Sequence, residues 1–97
     1  MEEIWKDVKG FDGKYKVSNT GKVKSLKFKK EQILSPRLNK RGVYTVNLHK
    51  HNKKYNIAIS LLVAEQFLTK QNETDVVMHI GEKTDDNVNN LKYEKRN

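Results

Sequence analysis

Apolar and polar residues alternate along Tyr15-Lys16-Val17-Ser18 and again along Lys22-Val23-Lys24-Ser25-Leu26, on either side of Asn19-Thr20-Gly21. Alternation with period two, flanking a polar turn that ends in glycine, predicts a β-hairpin. Successive side chains of a strand project to opposite faces. Tyr15, Val17 and Val23 therefore share an apolar face, and Lys14, Lys16, Lys22 and Lys24 form a strongly positive one. The segment before the hairpin, residues 5–13, holds two glycines and two aspartates near Trp5 and Phe11, and predicts a turn-rich entry. Residues 28–35 fit neither helical nor strand period, and Pro36 biases Ser35 toward an extended backbone. Residues 39–42 read as a turn. Residues 43–49 are rich in β-branched and aromatic side chains, and residues 54–58 form the expected return strand after a polar loop at 50–53.

The pattern then changes period. Residues 60–68 predict the one helix of the chain, either with Ser60 as its cap or with Ile59 already inside it. Leu62, Val63, Gln66 and Phe67 fall on one face, which Leu61 and Leu68 widen. A loop at 71–75, a short strand at 76–80 and a polar loop at 81–90 follow, before Leu91 and Tyr93 return to the interior. The expected core combines Trp5, Tyr15, Val17, Val23, Leu26, Val46, Leu48, Leu62, Val63, Phe67, Val77 and Leu91. Each large apolar side chain buried there contributes about 1.5–3 kcal/mol. The elements add up to an α+β fold that opens with an amino-terminal antiparallel β-hairpin/sheet module. No internal repeat and no low-complexity tail is present.

Charge divides the chain in two. Its 97 residues carry a formal +8. Residues 1–56 hold 15 Lys or Arg against 5 acids, and residues 57–97 hold 5 against 7. A basic half that meets a polyanion and a near-neutral half with another task are expected, with a boundary at residues 56 and 57. Lys14, Lys16, Lys22, Lys24, Lys27 and Lys29, joined by Arg37 and Arg41, are the candidate nucleic-acid contacts. Without cysteine, the chain offers no disulfide, thiol nucleophile or cysteine-ligated zinc. No apolar run approaches the length of a membrane span, and residues 1–5 lack the pattern of a signal peptide. A cytoplasmic protein without membrane contact is the expectation.

His79 ends an apolar strand and precedes a loop rich in Gly, Asp and Asn. A histidine so placed can activate water beside a hard cation held by oxygen ligands, for which Asp85 and Asp86 are the weak candidates. The asparagines of the same loop, Asn87 and Asn90 among them, equally suit a loop that hydrogen-bonds its own backbone. His49 and His51 lie in a basic hairpin loop and read as solvated surface.

Residues 3–13 together with 15–26 resemble the modular DNA-binding motif at the start of many phage HNH homing endonucleases. Leu62-Val63-Ala64-Glu65-Gln66-Phe67, Val76-Val77-Met78-His79-Ile80-Gly81, Asn87, Asn90, Leu91 and Tyr93 are similar to the HNH nuclease module of the same proteins. The resemblance implies a nuclease-associated DNA-binding module over 1–56 and a ββα-metal module over 57–97. It makes His79 the general base, and Asn90 with Asn87 the residues that pin the loop. It also implies double-stranded DNA as partner, one divalent ion (Mg²⁺ or Mn²⁺) if the chain is catalytic and none otherwise, and a phage-infected or lysogenic bacterial cytoplasm.

Four departures from that pattern predict a truncated and degenerate nuclease module. Met78 stands where the family has Asp or Asn, and a thioether suits hard Mg²⁺ poorly. Ser60 and Leu61 replace the His-Arg of a His-Arg-Leu-Val run. The loop after His79 is one residue short. Residues 94–97 supply only about one turn of the helix that brings the last ligand, and Asn97 falls short of its register. Three functions remain open. The first is a DNA-binding protein with weak or no nuclease activity, and the second an active metal-dependent nicking endonuclease. The third is a phage inhibitor that binds a host defence protein or a nucleotide signal. Oligomeric state is left open.

Overall fold

The computed structural model describes residues 2–27 and 30–96. Lys29, a candidate contact, lies outside the described residues, as do Phe28 and Asn97. The fold is α+β, with three antiparallel sheets around one helix.

The first sheet orders β1 (Trp5–Asp7), β2 (Tyr15–Ser18), β3 (Val23–Ser25) and β4 (Gln32–Ile33) in sequence. Val17 pairs with Val23 and Tyr15 with Ser25, which puts the apolar positions on one face as alternation demands. The β2–β3 turn closes with Gly21 N–H donating to Ser18 O at 3.1 Å and Ser18 N–H to Lys22 O at 2.8 Å. Gly21 sits at φ +96°, where a side chain would be strained.

The second sheet orders β5 (Arg37–Leu38), β6 (Tyr44–Lys50) and β7 (Lys53–Ala58). Lys50 pairs with Lys53, so only His51 and Asn52 make the turn, both at positive φ. That is the primed turn whose twist matches the strands. The third sheet is the pair β8 (Val76–His79) and β9 (Leu91–Glu94), with His79 opposite Leu91. A 3₁₀ turn at Val88–Asn90 leads into β9.

The helix α1 (Ile59–Phe67) packs against all three sheets. It begins at Ile59, the earlier of the two starts its sequence allows. Ala58 is its cap residue, with no side-chain cap bond, and Ser60 is buried inside the first turn. Leu61, expected to widen the apolar face, is 40% exposed. Three consecutive residues, Leu62, Val63 and Ala64, fill the buried side instead. Trp5 and Leu26, expected in the core, are only half-buried. Trp5 lies on the outer face of the first sheet, 4.3 Å beneath the Lys24 ammonium. Val8, Phe11 and Ile59 take the buried places, in one continuous core with Tyr15, Val17, Leu48, Val63 and Leu91. That core draws side chains from both halves of the chain. The turn-rich entry explains Phe11: Asp12 and Gly13 at positive φ fold the segment back, and the ring meets Tyr15 edge-on at 5.6 Å.

Candidate active site and nucleic-acid interface

Strand alternation separates Met78 from its neighbour. His79 and Val77 face the interior side of the β8–β9 pair, and Met78, opposite Lys92, faces out and is exposed. The His79 side chain is 11% exposed and its Nε2 lies 2.8 Å from Asp86 Oδ1. Asp86 is itself 7% exposed. Burial pushes the Asp86 carboxyl above its ordinary pKa, and the hydrogen bond and charge of His79 pull it part of the way back.

The loop between the two strands is held by its own amides. Asn90 Oδ1 accepts from Gly81 N–H at 2.8 Å, and Asn90 Nδ2 donates to Glu82 O and Asp85 O. Asn87 Oδ1 accepts from Asn89 N–H at 2.9 Å and so caps the 3₁₀ turn. Asp85 Oδ1 accepts from Asn87 N–H, and the Asp85 side chain lies at the surface. The donors around His79 do not fit a hard divalent ion. One oxygen of the nearest carboxylate is on the imidazole, the preceding side chain is a thioether, and no group of three or more His, Asp or Glu converges among the described residues.

The raised carboxyl has a stability consequence. The native state binds the Asp86 proton more tightly than the unfolded chain, whose value is 3.8. The stability this adds is complete below 3.8 and is lost as pH rises through the native pKa. Asp86→Asn cannot titrate. Urea melts of the two proteins should therefore show the variant gaining on the wild type from about pH 4 to pH 7.

The candidate DNA contacts divide into two groups. Lys16, Lys22 and Lys24 line the outer face of the first sheet, but each has a carboxylate nearby: Asp7 at 3.9 Å, Glu3 at 4.0 Å and Glu31 at 2.8 Å respectively. Lys24 holds the Glu31 carboxyl below the usual range, and a hydrogen bond from Thr20 does the same for Glu3. The flank expected to be strongly positive is in fact mixed, because β1 and the β3–β4 connection return acids onto it.

Lys14 and Lys27 instead meet His49, Lys50, His51 and Asn52 around a cleft of about 540 Å³. None of its three lysines has an ion-pair partner among the described residues. Two features place the cleft. Tyr15 Oη accepts from His49 N–H at 2.9 Å, clamping the tip of the second sheet to the first. The two-residue turn then projects His49, Lys50 and His51 beside Lys14. His49 and His51 read as bystanders in the sequence because nothing local to residues 49–51 shows that the hairpin tip returns to Lys14.

Arg37 borders a separate small cavity of about 130 Å³ with Leu34, Thr45 and Asn56. Arg41 lies in an exposed turn, where its carbonyl accepts from Lys83 Nζ at 3.0 Å. The structure brings neither arginine into the cleft.

Comparison with known proteins bears on these two sites. The NUMOD4 motif matches residues 3–49. DNA endonuclease I-HmuI of Bacillus phage SP01 is 38% identical over 90 residues, covering 92% of this chain and 51% of that protein. The structure of I-HmuI, described as DNA binding and cleavage by an HNH homing endonuclease, superposes with a TM-score of 0.85 at 36% identity over 98% of this chain and 53% of that one. This chain is related to the phage HNH homing endonucleases. An uncharacterised HNH endonuclease of Acanthamoeba polyphaga mimivirus is 36% identical over 94 residues, covering 96% of this chain and 27% of that protein. The chain thus spans about half or less of the length of the HNH endonuclease relatives it matches. The match to the motif ends at residue 49, within β6, so the motif includes both walls of the Tyr15–His49 clamp. Among the described residues no helix is long and apolar enough to cross a membrane.

Proposed function

We propose that this chain binds double-stranded DNA as the homing endonucleases do, and that its own strand cleavage is weak. Residues 1–56 serve as the DNA-binding module and residues 57–97 as an HNH-like module, in the cytoplasm of a phage-infected bacterium. The observation that carries the binding is the cleft lined by Lys14, Lys27 and Lys50, whose ammonium groups have no carboxylate partner among the described residues. Such clusters attract phosphate and release its counterions. Phosphate contacts fix register without reading bases, so this surface positions the duplex and does not choose its sequence.

The weak cleavage rests on the donor set around His79. A positioned base is worth about 10²–10⁴-fold in rate. A divalent ion, where one is bound, stabilises the charge that develops on the phosphate and leaving oxygen, and is worth several kcal/mol more. His79 supplies the first contribution, and the residues beside it hold no oxygen cage for the second.

Fluorescence anisotropy on a labelled duplex tests the binding, and no association at 50 mM salt would remove the proposal. Supercoiled plasmid with Mg²⁺ or Mn²⁺ tests the cleavage. Slow nicking is expected, and His79→Ala should lower it by about 10²-fold or more. Equal nicking by both proteins excludes His79 as the base.

A further inference from the structure

We infer that Asp86 is the residue that positions His79, and that the β2–β3 turn of the amino-terminal sheet holds Asp86 in place. The inference rests on the reading of His79 as a nuclease base.

The geometry begins at the imidazole. Asp86 Oδ1 is the one hydrogen-bond partner of the ring among the described residues, at 2.8 Å from Nε2. Both side chains are nearly sealed, at 11% and 5% exposure. With the carboxylate ionised, Nε2 carries the proton and donates it, which leaves the lone pair on Nδ1. That nitrogen is not among the buried unpartnered atoms, so it reaches solvent. One ring nitrogen held and the other open is the arrangement a general base requires. A buried carboxylate that fixes tautomer and ring orientation performs the same service in hydrolases of unrelated fold.

Asp86 is held from behind by a residue far away in sequence. A Cβ placed on Gly21 would lie 3.0 Å from both the carbonyl carbon and the Cβ of Asp86. Only a glycine lets the turn come so near, and its φ of +96° also calls for glycine. Beside this contact Val88 N–H donates to Asn19 O at 2.8 Å. Asn19 is buried, and its side chain accepts from Ile4 N–H at 2.9 Å and donates to Glu2 O at 3.0 Å. Turn, amino-terminal segment and histidine loop therefore pack as a unit. The DNA-binding motif is a wall of the histidine site, so a load on the β2–β3 turn reaches the imidazole through Asp86.

Nuclear magnetic resonance of the full chain with ¹⁵N-labelled histidine tests this without DNA or metal. His79 should show a ring proton on Nε2 that exchanges slowly with water, with exposed His49 and His51 as internal references. Asp86→Asn keeps the volume but offers an amide that can donate or accept, and should populate both tautomers and lose the slow proton. Gly21→Ala leaves both site residues intact and should speed its exchange by about tenfold or more, the loss expected when a hydrogen bond to a charged group goes. An unchanged exchange rate in a folded Gly21→Ala protein overturns the role of the turn; if that variant fails to fold, Asn19→Ser, which frees the same turn from the amino-terminal segment, takes its place with the same expected result. A His79 ring proton on Nδ1, or one as fast as those of His49 and His51, overturns the inference. So does an Asp86→Asn spectrum identical to that of the wild type. A protected Nε2 proton in a chain that nicks no plasmid supports the positioning and overturns the nuclease reading alone.

Discussion

Between 50 and 200 mM salt the affinity of this chain for duplex DNA should fall about 10³-fold. A protein that neutralises about six phosphates has a slope of log affinity against log salt near −5, because each contact releases condensed counterions. Which lysines carry that slope separates two surfaces. Replacing Lys14, Lys27 and Lys50 together with glutamate should flatten the slope by about 3 if each contacts one phosphate, as proposed. The same change at Lys16, Lys22 and Lys24 should flatten it less, because Asp7, Glu3 and Glu31 already compete for those ammonium groups. Anisotropy titrations at four salt concentrations measure both. A slope flattened more by the change at Lys16, Lys22 and Lys24 would place the duplex on the outer face of the first sheet and not in the cleft. Added salt should also weaken the three carboxylate pairs, which are exposed and worth little.

The largest stability effect belongs to Tyr15. Its ring is 2% exposed, meets Phe11 edge-on, and its hydroxyl accepts from His49 N–H. Tyr15→Ala removes a core aromatic and should cost about 3–5 kcal/mol. For a domain of this size that is a large share of the whole. Tyr15→Phe keeps the ring and removes only the clamp between the sheets, so it should cost about 1 kcal/mol. Urea denaturation gives both values. The informative comparison is in DNA binding. If the clamp holds the hairpin tip beside Lys14, Tyr15→Phe should weaken binding although it removes no charge. Binding unchanged in a folded Tyr15→Phe protein would show that the tip stays in place without the hydroxyl.

How far the fold was legible follows from the range of the forces involved. The β2–β3 hairpin was readable because alternation and a glycine-ended turn are local signals, and the observed register pairs Val17 with Val23. The helix was readable from its period, and its start was narrowed to Ser60 as cap or Ile59 as first residue. Ser60 looks like a cap, yet the chain turns helical at Ile59 because that side chain is needed in the core. Trp5 was misplaced for a related reason. An indole is expected inside, but an edge strand beside Lys24 gives it a cation to cover instead. The lysines of the first sheet could be assigned to a face and not to a partner, since Glu3 and Glu31 approach through pairings that alternation does not encode.

The residues alone established an α+β chain with a basic first half, a hairpin, one helix and a single histidine at the end of an apolar strand. They did so because periodicity, turn chemistry and charge act within a few positions. Folding in three dimensions decided which cations stand free, why His49 and His51 join Lys14, and that Asp86 takes up His79 with Gly21 against its back. Those contacts join residues up to 65 positions apart, from Gly21 to Asp86. They arise from packing around a shared core, for which no stretch of the chain carries a local sign.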